Sequence, residues 1–164
     1  VVARVVADTP EDVPLTTFSI LFARHKGDLK TMVQGAAALE ILKSDDKVLM
    51  AEGCTHHPFE DDIGRVKIPR WLRQYTGCDL QIDSFAGHDF PANLNEYKLI
   101  IHCGGCVMTR TEMTSRLKDA GHHSVPITNY GVAISALQGV LKRALTPFPE
   151  ALEVCSQLRT EKKA

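Results

Sequence analysis

No apolar run in this 164-residue chain approaches the roughly 18 residues that a membrane-spanning helix needs, so no such span is expected. An excess of one charge is missing too. Lys and Arg number 19 against 20 Asp and Glu, a formal net charge of -1, and nothing in that balance asks for nucleic acid or an acidic membrane as partner. The opening Val1-Val2-Ala3-Arg4 has no apolar core behind a basic cap, so a secretory signal is not expected. It also lacks an initiating Met, and Val1 to Val6 reads as a strand, so an upstream part is expected to precede it. A secreted disulfide framework is absent, because the five cysteines are odd in number and irregular in spacing. A reducing cytoplasm, with thiols kept for metal or redox use, is the expected setting.

What the chain does have is two short clusters of soft and borderline ligands. The first is Cys54-Thr55-His56, and the second is His102-Cys103-Gly104-Gly105-Cys106. Three thiols with two imidazoles beside them exceed what packing asks for, and they suit a metal or an iron–sulfur cluster. The remaining composition is that of an ordinary globular domain, long enough for one domain plus a small appendage.

The order of elements says how the ligands are held. Thr16 to Arg24 is rich in β-branched and aromatic residues and reads as a strand. Asp28 then caps a helix from Leu29 to about Leu42, whose apolar residues Leu29, Met32, Val33, Ala36, Leu39 and Leu42 share a face. From Lys47 the rhythm is strand–helix–strand. Strands are expected at Val48–Ala51, Leu80–Asp83, Lys98–Ile101 and Val125–Thr128, with Pro126 favouring an edge or a strand start. Helices are expected from about Ile63 to Tyr75 (interrupted at Pro69), from Thr111 to Ala120 (stopped at Gly121), from Val132 to Leu145, and from Glu150 to Leu158. Asn129-Tyr130-Gly131 reads as a tight turn. The fold class is therefore α/β, a mostly parallel sheet flanked by helices. Ligands bind beyond the carboxyl ends of such strands. Topology then makes neighbours of Cys54 and Cys103, which are 49 positions apart.

Ligand chemistry alone leaves alternatives. Cys103 and Cys106 could be a redox pair, although this leaves Cys54 and the histidines unexplained. Cys54, His56, Cys103 and Cys106 could hold zinc in a Cys₃His site, making a zinc-stabilised interaction module. Three thiolates with an imidazole or an open fourth position also suit a [4Fe–4S] cluster. Cys78 and Cys155 read as packing, and His25, His88, His122 and His123 as solvated or capping residues. His57 could support His56 from behind. Asp61-Asp62 reads as a helix cap, and Trp71 as packing beside an exposed Arg70.

Several stretches resemble the C-terminal part of the HydF family, the [FeFe]-hydrogenase maturation GTPases. They are Thr17 to Arg24, Ala51 to His57, Asp62 to Leu72, Ile101 to Cys106 and Val125 to Val132. The family's C-x-H…H-C-x-x-C signature is present in full, with 45 residues between His56 and His102. The resemblance implies a GTPase, a dimerisation domain and a cluster-binding domain in the complete protein. No G-x-x-x-x-G-K-[ST] phosphate loop occurs here, so GTP hydrolysis is not expected of this chain. Residues 1–45 would be a small α/β dimerisation unit and 46–164 the cluster-binding domain. The resemblance further implies a [4Fe–4S] cluster on Cys54, Cys103 and Cys106, with His56 or His102 at or near an exchangeable fourth iron. The implied role is a homodimeric cytoplasmic scaffold. It would accept a diiron precursor carrying CO and CN ligands, made by radical-SAM maturases, and deliver it to the [FeFe]-hydrogenase apo-protein.

Overall fold

The computed structural model describes residues 2–53 and 62–160. Four strands form one all-parallel sheet in the order β2-β1-β3-β4, with β1 at Lys47–Glu52, β2 at Gln81–Ala86, β3 at Tyr97–His102 and β4 at Ile127–Asn129. β1, β3 and β4 are almost wholly buried, as parallel strands covered on both faces must be. β2 is an exposed edge, and its polar Gln81, Asp83 and Ser84 suit that position. Pro126 stands just before the other edge strand, where its missing N–H costs no ladder bond, while its carbonyl accepts from Ile100 N at 2.8 Å. The α/β reading is correct.

The N-terminal part corrects the expectation of strands. Val2–Asp8 is a helix, α1, and Val5 on it stands 48% exposed. The expected strand Thr16–Arg24 is also a helix, α2 (Phe18–Lys26). Thr17 is its N-cap, its side chain accepting from Ile20 N, and Ile20 and Ala23, three apart, are its buried face. Packing against later helices outweighs the β-propensity of this segment.

Asp28 caps α3 (Leu29–Ala36), and the chain then tightens into a 3₁₀ turn over Ala37–Glu40. All six residues assigned to its inner face are buried. α3 packs against β4 and against α8 (Pro149–Thr160). Pro69 does not interrupt its helix. A widened turn over Ile63–Lys67 leads into α4 (Ile68–Thr76), and Pro69 sits in the first turn, where no intrahelical partner is lost. α5 (Arg110–His122) starts at a Thr109–Glu112 capping box and runs through Gly121 instead of stopping there. Asn129 caps α6 (Tyr130–Leu137) by accepting from Val132 N, so the expected tight turn is a helix start. The long helix expected from Val132 to Leu145 is divided. Gly139 turns at a φ of 72° between α6 and α7 (Leu141–Ala144).

One bond spans the central strand. Tyr97 on β3 donates its hydroxyl to Asp83 Oδ2 on β2 at 2.9 Å, reaching across β1. Burial first, and Asp83 second, push the Tyr97 pKa up to about 12. A raised phenol pKa stabilises the fold fully below the unfolded value near 10, and the contribution fades as pH climbs toward 12. Urea melts between pH 9 and pH 12 should therefore show a loss of up to about 3 kcal/mol. Tyr97→Phe should flatten that slope, and an unchanged slope in the variant would remove Tyr97 as its source.

Candidate metal centre

The strand ends converge on one edge of the sheet. Register sets Ala51 beside His102 and His102 beside Asn129. Cys103 extends the ladder by one residue, donating its N–H to Ala51 O at 2.8 Å. The neighbouring strand answers through Gly53, whose N–H donates to Cys103 Sγ at 3.2 Å. Cys103 is buried, so this sulfur is fixed directly beside the residue that precedes Cys54. A Cβ on Gly53 would stand 2.3 Å from Met108 Sδ, so a larger residue there would have to displace the Met108 side chain. Cys54, His56 and His57 lie outside the described residues.

Cys106 is exposed and follows Gly105, which turns at a φ of 61°. The carbonyls of Gly105 and Cys106 are held from one side by Lys26 Nζ at 2.9 and 2.7 Å. Lys26 is the last residue of α2.

His102 has no exposed surface. Arg116 Nη1 lies 2.6 Å from its Nε2, and Cys103 O lies 2.7 Å from its Nδ1. A guanidinium can only donate, so Nε2 accepts and Nδ1 carries the proton that it donates to Cys103 O. Burial pulls the His102 pKa down to about 4, which keeps the ring neutral. Both ring nitrogens are thus committed, and in this arrangement His102 braces the Cys103 backbone and has no lone pair free for a metal. Arg116 also donates to the carbonyls of Gly87, His88 and Asp89 and stacks 4.8 Å from the Phe90 ring centroid. It thereby ties the β2–β3 connection to the site.

A second polar group flanks the end of β1. Glu52 is buried and receives Arg65 in two bonds, Nη2 to Oε2 at 2.8 Å and Nε to Oε1 at 3.2 Å. Asp62 fixes that turn by accepting from Gly64 N and Arg65 N, as expected of a cap. Tyr130, the first residue of α6, points its hydroxyl onto Gly64, where an added Cβ would stand 2.1 Å away. That hydroxyl is buried and has no hydrogen-bond partner among the described residues. Burial, followed by the charges of Glu52 and Cys103, pushes its pKa up, so it remains a neutral phenol.

The structure therefore brings Cys103, Cys106 and His102 to the edge of the sheet where β1 ends. Among the described residues, no three His, Cys, Asp or Glu side chains converge on a metal-sized point. The donors that do stand there are thiols, the ligand type that soft metals and iron–sulfur clusters take. Cys78 lies elsewhere, half-buried beyond α4, with its Sγ on the carbonyls of Thr76 and Leu42. Cys155 is buried in α8 as part of the core. Glu52, Arg65, Arg116 and Tyr130 were not legible as site residues. The one hint was an acid closing an otherwise apolar strand, Val48-Leu49-Met50-Ala51-Glu52.

Residues 30–147 match the sequence model of the hydrogen maturase F tetramerization domain, and residues 1–27 that of the hydrogen maturase F dimerization domain. No curated protein matches the chain.

Proposed function

The chain belongs to the hydrogen maturase F family, and we propose that its part in hydrogenase maturation is that of a cluster-bearing scaffold. It acts in maturation through domains of self-association, and no helix among its described residues is long and apolar enough to cross a membrane. On our reading Cys54, Cys103 and Cys106 hold a [4Fe–4S] cluster, and the fourth iron stays exchangeable or is met by His56. When bound, such a cluster supplies a coordination position that a fully thiolate-capped one lacks. The cargo would be a diiron precursor with CO and CN ligands, received from radical-SAM maturases and passed to the apo-hydrogenase in the cytoplasm. His102 positions the loop: its Nδ1–H fixes the Cys103 carbonyl while Arg116 fixes the ring.

The Gly53 N–H to Cys103 Sγ bond carries this reading. It does for the sulfur what backbone donors do around a thiolate, and it brings the second ligand cluster to the threshold of the first. Anaerobic reconstitution with iron and sulfide tests it. The wild type should turn brown, absorb broadly near about 400 nm and give a reduced electron paramagnetic resonance signal that moves with imidazole. Cys103→Ala should lose the signal, whereas Cys78→Ala should keep it. A colourless protein that takes up zinc instead would replace the scaffold with a zinc-stabilised interaction module.

A further inference from the structure

Among the described residues, Tyr130 places at this edge a buried hydroxyl that the ligand reading leaves unused. Its hydroxyl has no accessible surface and no partner among the described residues, an arrangement that costs free energy unless something completes it. It is not there by loose packing. Asn129, hydrogen-bonded to Val132 N, starts α6 and sets the Tyr130 backbone one residue past β4. Gly64 gives up its side chain to admit the ring, since a Cβ would overlap the phenol oxygen. Asp62 holds Gly64 in place through its N–H. The hydroxyl sits where the charges of Glu52, Cys103, Asp62 and Arg65 all act on it. Glu52, the acid that acts on it most strongly, accepts two bonds from Arg65 and makes none with the hydroxyl.

We propose that Tyr130 is a positioning residue for the metal centre, its O–H donating to a sulfur of the iron–sulfur group once that group is bound. The proposal rests on the cluster reading above. A neutral phenol is a donor, this one makes no bond among the described residues, and cluster sulfurs are acceptors that this edge would gain. Donation to a cluster sulfur spreads its negative charge and favours the reduced state, so it raises the reduction potential.

The test compares intact wild-type protein with Tyr130→Phe, both reconstituted anaerobically with iron and sulfide and titrated with dithionite under electron paramagnetic resonance. The variant should bind the same iron and sulfide per chain, with a potential shifted to more negative values and altered signal positions. Its cluster-free form should melt at an unchanged or higher temperature, because the change removes a buried hydroxyl that has no partner in that form. A merely structural tyrosine would show the reverse, with a lower melting temperature and an unmoved potential, and that result overturns the proposal. An unmoved potential at full iron content overturns it as well. Wild type that forms no cluster overturns the cluster reading itself and this proposal with it, and the two failures are told apart by the wild-type sample alone.

Discussion

Replacing Arg116 with Met is expected to lower stability by about 3 kcal/mol, more than a typical substitution. The stem of the side chain is roughly conserved in volume, so the loss comes from the bonds. Nε2 of His102 loses the donor it has among the described residues, and a buried acceptor left without a partner costs about 1–3 kcal/mol. The carbonyls of Gly87, His88 and Asp89 lose their shared donor too, although His88 and Asp89 stand exposed and water replaces part of what they lose. Arg116→Lys should recover little, since a single ammonium cannot reproduce a fork that reaches four acceptors. Equilibrium urea unfolding reads the effect as a lower midpoint at an unchanged slope. A loss under about 0.5 kcal/mol would mean that His102 finds another donor, and the bracing role assigned to it would go. Because His102 in turn holds the Cys103 carbonyl, the same variant should also take up less iron on reconstitution.

The second large effect is at Gly35. Alanine is the better helix former by about 1 kcal/mol, so propensity favours Gly35→Ala in α3. The structure reverses that sign. A Cβ there would stand 2.0 Å from Ile127 O and 2.5 Å from Ile127 C, the backbone of β4, which cannot swing aside as a side-chain tip can. Helix and strand would have to part, and a net loss of about 3 kcal/mol is expected. Gly121→Ala is the control. It lies within α5 with nothing inside 4 Å of the added carbon, and it should gain about 0.5–1 kcal/mol. Thermal melts of both variants decide the matter, and a stabilised Gly35→Ala would show that α3 does not sit on β4 as described.

The contrast between these two glycines marks how far the sequence could be read. The strand–helix alternation from Lys47 onward was legible, because buried parallel strands are short apolar runs whatever surrounds them. That the ends of β1 and β3 share one edge of the sheet was legible too, because parallel strands joined by crossovers end together. α2 was not, because β-branched and aromatic residues between Thr16 and Arg24 favour a strand until Ile20 and Ala23 find later helices to pack on. Arg116, Glu52 and Tyr130 escaped for a related reason. Each looks like an ordinary residue in its own element, and its role arises from neighbours tens of residues away. A backbone carbonyl 2.0 Å from a missing methyl group leaves no trace in composition or period.

Lys26 gives α2 a second meaning. It lies one residue before the end of the segment matched to the dimerization domain, yet its ammonium rests on the carbonyls of Gly105 and Cys106, and Arg110 reaches back to His25 O at 3.1 Å. The end of the helix and the cysteine loop are therefore parts of a single mechanical joint. Free energies joined in this way are reciprocal: whatever steadies the loop steadies the helix end by an equal amount, and a partner that draws Lys26 away loosens the loop.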